Sequence, residues 1–172
     1  MTMAKKKAKA TRSPENKPVQ TSRWSTKERK QLADSLNTLL AACQVHYQKL
    51  HNYHWNVEGD EFFELHEITE QQYGQVHGDI DAIAERIRVF GERPLSTFAE
   101  YLAASPIKED MQVPSAKKMA GNLLADYGIL IKLMYATADL ADDLDDLPTE
   151  SMMVDLIARF EKQQWMLGAF LK

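Results

Sequence analysis

A proline inside a helix removes a hydrogen-bond donor and clashes with the preceding turn. The six prolines of this 172-residue chain all lie outside the interiors of four long runs of helical periodicity, and this placement decides the fold class. The first run puts Leu32, Leu36, Leu39, Leu40, Cys43, Tyr47, Leu50 and His54 on one face. Ahead of it, Ser25-Thr26-Lys27-Glu28 has the Ser-x-x-Glu form of a capping box, so a helix is predicted from about Thr26 to Asn56. Gly59 and Asp60 read as a turn and an N-cap, and nothing breaks the pattern from Glu61 to Phe90 before Gly91 and Pro94. Pro114-Ser115 opens a third helix reaching about Asp143, and Pro148-Thr149-Glu150 opens a fourth that ends near the C-terminus.

The connection between the second and third helices holds Pro94, Pro106 and a short apolar run, Phe98, Tyr101 and Leu102, read as one small helix. No segment shows the β-branched alternation of a strand. The expected class is all-α: a four-helix bundle of two antiparallel hairpins, joined by a crossover that carries a short helix. That is the ferritin-like arrangement.

Charge divides the chain. Lys5, Lys6, Lys7, Lys9, Arg12, Lys17 and Arg23 against Glu15 give residues 1–23 a charge of +6, so the overall −4 leaves −10 on the rest. The basic segment lacks periodicity, contains Pro14 and Pro18, and reads as a disordered tail ahead of a bundle over residues 24–172. No apolar run approaches the ~20 residues of a membrane span. No apolar secretory stretch opens the chain, so a soluble, cytoplasmic protein without a membrane partner is expected. The single cysteine, Cys43, falls among leucines at helical spacing and reads as a small buried residue without redox function.

The chemistry-bearing pattern lies on the second helix. His66 and Glu70 are four residues apart, as are Asp81 and Glu85, and all four share a stripe because Glu70 to Asp81 is about three full turns. Imidazole with carboxylate suits a divalent iron. The two pairs are separated by ~16 Å along the axis, too far for one helix to close a site. Two copies packed antiparallel about a two-fold near residues 75 and 76 would set Glu70 against Asp81 and His66 against Glu85, twice per dimer. Gly74 and Gly78 flank that axis, where two backbones would approach. His54 is a further candidate nitrogen ligand, and His51 a weaker one. The competing reading of such a stripe is a solvated helix face. No Glu-x-x-His pair occurs, so a di-iron centre inside one subunit is not expected.

His54-Trp55-Asn56-Val57, Gly59, Phe63, Leu65-His66-Glu67, Asp81 and Ala84-Glu85-Arg86 together resemble the core signature of the Dps family, over about residues 25–172. The resemblance implies a hollow dodecamer that oxidises Fe(II), typically with hydrogen peroxide, and stores ferric mineral. It implies ferroxidase ligands at His54 and His66 from one subunit and Asp81 and Glu85 from its partner. Glu70 stands where the family often has aspartate.

Three further expectations follow. Asp142, Asp145, Asp146 and Glu150 form an acidic run that could line a cation pore, or simply a solvated helix junction. Lys5, Lys6, Lys7, Lys9 and Arg12 could bind DNA phosphates without sequence preference, or merely solubilise. Trp55 and Trp165 read as core packing rather than radical traps. The rivals to an iron-oxidising shell are a protein that compacts DNA through its tail and a helical interaction domain without metal.

Overall fold

The computed structural model describes residues 23–172; residues 1–22, with Lys5, Lys6, Lys7, Lys9 and Arg12, lie outside the described residues. Of the segment read as a tail, only Arg23 is described. The described chain is all-α, running α1 (Thr26–Asn56), α2 (Phe62–Val89), α3 (Phe98–Ala104), α4 (Ala116–Asp143) and α5 (Leu147–Phe170). Two hairpins, α1/α2 and α4/α5, pack through α1 against α4, and α3 lies against α1 within the crossover.

The start of α1 is fixed by the expected capping box. Glu28 donates its backbone N–H to Ser25 Oγ at 3.3 Å, and Ser25 N–H donates to Glu28 Oε2 at 2.6 Å. Those bonds favour the ionised carboxylate, holding Glu28 below its ordinary pKa. A second capping box, Thr97 with Glu100, opens α3. At α2 the expectation is corrected: the N-cap is Glu61, not Asp60, and it makes no side-chain cap bond. Gly59, at φ 98°, provides the left-handed turn, and Phe62 N–H reaches its carbonyl at 3.1 Å.

The stripe predicted on α1 is the core: Leu32, Leu36, Leu39, Cys43 and Leu50 are fully buried, against Met119, Leu123, Tyr127 and Leu130 of α4. Each such side chain contributes roughly 1.5–3 kcal/mol of transfer free energy. Burial pushes the Cys43 thiol pKa up, which keeps it an inert hydrophobe. The short-helix apolar residues behave differently, because Phe98 and Leu102 stay exposed.

Three ion pairs not foreseen in the sequence tie helices together. Lys49 Nζ donates to Asp126 Oδ2 at 2.7 Å between α1 and α4, with His46 Nδ1 3.3 Å from the same oxygen. Arg159 donates to Asp79 at 2.6 Å between α5 and α2. Arg86 donates to Asp146 at 2.5 Å and to Thr149 at 2.8 Å, and its guanidinium covers the Phe90 ring at 4.7 Å. Among the described residues, no helix is long and apolar enough to cross a membrane.

Candidate metal centre

The last turn of α1 leaves backbone carbonyls without intrahelical partners. His54 belongs to that turn, and its carbonyl is met by Nδ1 of His66 at 2.8 Å. The relation is mutual: His54 Nδ1 lies 2.8 Å from the carbonyl of His66. The two imidazoles stack, with centroids 3.8 Å apart and planes inclined by 19°. Phe62 covers His66 at 4.9 Å, and Tyr73 meets His54 edge-on at 5.3 Å.

This arrangement settles the tautomers by chemistry. A carbonyl oxygen only accepts, so each Nδ1 carries a proton, and the tautomer able to bind a metal is the one with its lone pair on Nε2. Backbone orientation of one ring nitrogen, leaving the other as donor, is what metal-binding histidines require. His51 is set apart from the pair. Its Nδ1 lies 3.2 Å from its own helix's Tyr47 carbonyl, and its ring stacks on Tyr73 at 4.1 Å. Burial lowers its pKa, partly offset by that carbonyl.

Glu70 follows one turn after His66 on an exposed face of α2, and Asp81 and Glu85 lie farther along the same helix, also exposed. The single chain brings His54 and His66 together and does not bring Asp81 or Glu85 to them. Among the described residues, no three His, Cys, Asp or Glu side chains converge on one point. Gly74 and Gly78 lie on this face, and a Cβ added at either would meet nothing within 4 Å.

The acidic run divides. Asp142 and Asp145 are exposed and Glu150 is half-buried. Asp146 is wholly buried beneath Arg86 and Thr149. A carboxylate closed inside one subunit cannot line a channel between subunits, so Asp146 leaves the pore candidates and becomes an anchor for the start of α5. The expectation for the tryptophans is also corrected: Trp55 is 65% exposed and Trp165 69% exposed, so neither packs in the subunit core.

Residues 33–172 match the family model described as Ferritin-like domain. The chain is 41% identical over 137 residues to the "DNA protection during starvation protein" of Brevibacillus brevis, covering 80% of this chain and 92% of that one. The chain belongs to the Dps family of ferritin-like proteins. Its fold superposes on the Dps protein of Vibrio cholerae with a TM-score of 0.86 at 36% identity, covering 91% of this chain and 98% of that one. That structure is described as a member of a superfamily of ferritin-like diiron-carboxylate proteins. The Dps protein of Bacillus brevis gives a TM-score of 0.83 at 39% identity, covering 87% and 100% of the two chains. In a Dps chain, the bonds of Arg86 to Asp146 and Thr149 give the residue beside Glu85 a structural task that its position next to a candidate ligand did not reveal. The only sequence signal for it was an arginine on a largely buried helix flank.

Proposed function

We propose that this Dps chain pairs through α2 with a second copy to build two identical Fe(II)-oxidising sites. At each site His54 and His66, with Glu70, face the partner subunit's Asp81 and the partner subunit's Glu85. The observation that carries the reading is the reciprocal Nδ1–carbonyl lock, which orients two stacked imidazoles and leaves the Nε2 of each without a hydrogen-bond partner among the described residues. The exposed carboxylates and the bare glycine surface of α2 supply the complementary half. Iron is the substrate here, and peroxide the oxidant. The three carboxylates would favour Fe(III) over Fe(II) while the two imidazoles hold the ion in place, and the ferric product passes into a hollow dodecamer whose inner surface receives it as mineral.

Asp142, Asp145 and Glu150 remain the candidates for a cation entrance. DNA protection, the task named for the Brevibacillus relative, comes to this chain in two ways. Consuming iron with peroxide removes the reagents of hydroxyl-radical formation. The tail cations Lys5, Lys6, Lys7, Lys9 and Arg12, repeated over a shell, hold DNA phosphates non-specifically.

The test is anaerobic Fe(II) loading followed by a peroxide pulse, comparing wild type with an Asp81→Ala, Glu85→Ala variant whose assembly is verified by light scattering. Loss of fast ferric absorbance in an intact shell supports the site; equal rates in both proteins refute it. Deleting residues 1–23 should abolish a salt-sensitive gel shift while leaving oxidation intact.

A further inference from the structure

The stripe on α2 carries one more metal-binding side chain than the iron reading uses. His77 is exposed and stands one turn before Asp81 and about three turns after His66, so it lies on the line that joins them. Its ring centroid is 6.1 Å from that of Tyr47, on the α1 side of the helix. Gly74 and Gly78 flank it, and neither position has a neighbour within 4 Å of an added Cβ. A two-fold near residues 75 and 76 sets His77 against the partner subunit's Gly74, and Tyr73 against the partner subunit's Gly78. Each ring then meets a position that has no side chain.

The same symmetry brings two copies of His77 close together. They are offset along the helix axes by about 4.5 Å. Helices in contact lie about 8–10 Å apart and each Cα stands ~2.3 Å off its axis, so Cα atoms on the facing sides are about 6–8 Å apart. Positions i and i+4 of one helix are similarly spaced, and two histidines placed that way hold a single zinc ion. We propose that His77 and the partner subunit's His77 bind one divalent ion of the zinc, nickel or copper class on the two-fold axis, clamping the two α2 helices together. This rests on the α2 pairing proposed above and adds to it a metal site separate from the iron sites. Two imidazoles without a carboxylate suit those ions better than the harder cations, and water completes the coordination. Asp81 of each chain, one turn away, supplies negative charge that favours a cation there. Stoichiometry is the signature: one such ion per two chains, where the iron reading has two sites.

The experiment uses the full chain, iron-free, with Zn(II) as the probe. Equilibrium dialysis counts bound zinc in wild type and in His77→Gln, a change at an exposed position that keeps a polar side chain. Wild type should hold one more zinc per two chains than the variant. An ion that binds the pair and not the single chain lowers the apparent dissociation constant about tenfold when present at ten times its own dissociation constant. Light scattering over a dilution series should therefore show zinc moving wild-type dissociation to about tenfold lower protein concentration, with no such shift attributable to zinc in His77→Gln. Oxidation of Fe(II) by the assembled variant should match wild type. Equal zinc counts in the two proteins overturn the inference, as does an equal effect of zinc on their dissociation. A difference of one zinc per chain also overturns it, because each His77 would then bind an ion alone. Failure of the iron site is separable: it appears as unchanged iron oxidation in the Asp81→Ala, Glu85→Ala variant, whatever the zinc count at His77.

Discussion

Replacing Gly78 by leucine should strengthen the subunit and weaken the assembly, and the opposite signs are what make the experiment informative. Inside one chain the substitution meets nothing, since a Cβ at Gly78 has no neighbour within 4 Å. The helix then gains roughly 0.8 kcal/mol from the better propensity of leucine. At an antiparallel α2–α2 contact each substitution appears twice. Overpacked side chains cost about 1–3 kcal/mol each, so the pair loses about 2–6 kcal/mol. That corresponds to a dimer dissociation constant raised roughly 30-fold to more than 10⁴-fold. Light scattering over a dilution series reads the assembly, and urea unfolding of the dissociated subunit reads the fold. The expected result is a higher unfolding midpoint together with dissociation at concentrations where wild type is intact, accompanied by loss of fast Fe(II) oxidation. A Gly78→Leu protein that assembles and oxidises iron as wild type does would place this glycine on free surface, and the two-fold near residues 75 and 76 would be wrong.

Arg86→Ala leaves the buried Asp146 carboxylate without its cation and should cost about 3–5 kcal/mol in chemical denaturation, by the usual penalty for an orphaned buried charge. Arg86→Lys should recover only part, because one ammonium lacks the fork that reaches both Thr149 and Asp146. His46 is fully buried, and burial lowers its pKa although Asp126 opposes the shift. The unfolded chain therefore takes up the proton first: His46's contribution is full above about pH 6.5 and is lost as pH falls, so iron-free urea midpoints should drop toward pH 5, with a shallower drop in His46→Gln. Cys43, buried and with its thiol pKa raised, should resist a thiol reagent in native protein and react at once in guanidinium; rapid native labelling would show that α1 opens.

Much of this was legible in the chain because helices are read by local rules. Ser25 and Glu28 announce the start of α1, and apolar spacing identifies its buried face. The stripe of His66, Glu70, Asp81 and Glu85 was legible for the same reason: position on a helix face follows from residue number alone. What the numbers do not carry is the orientation of an imidazole. The carbonyls of His54 and His66 come within reach of each other's rings only after the turn at Gly59 has brought α2 back along α1. Asp60, in that same turn, looked like an N-cap because its type is right, but Gly59 hands the helix start to Glu61 instead.

The acidic run shows the same division at the scale of two adjacent residues. By composition Asp145 and Asp146 are interchangeable. In the fold Asp145 adopts a left-handed conformation, φ 53°, which aspartate tolerates better than most residues. The reversal sends its side chain outward, 3.6 Å from Arg23, while Asp146 turns inward to Arg86, sixty residues earlier in the chain. A neighbour that close in sequence becomes a surface charge or a buried anchor according to a partner on another helix. For that reason exchanging Asp145 for asparagine should leave the subunit nearly as stable as wild type, whereas the same exchange at Asp146 should destabilise it by the several kcal/mol expected for a broken buried pair. Equal losses at the two positions, measured by urea unfolding, would mean that the Arg86 contact does not distinguish them.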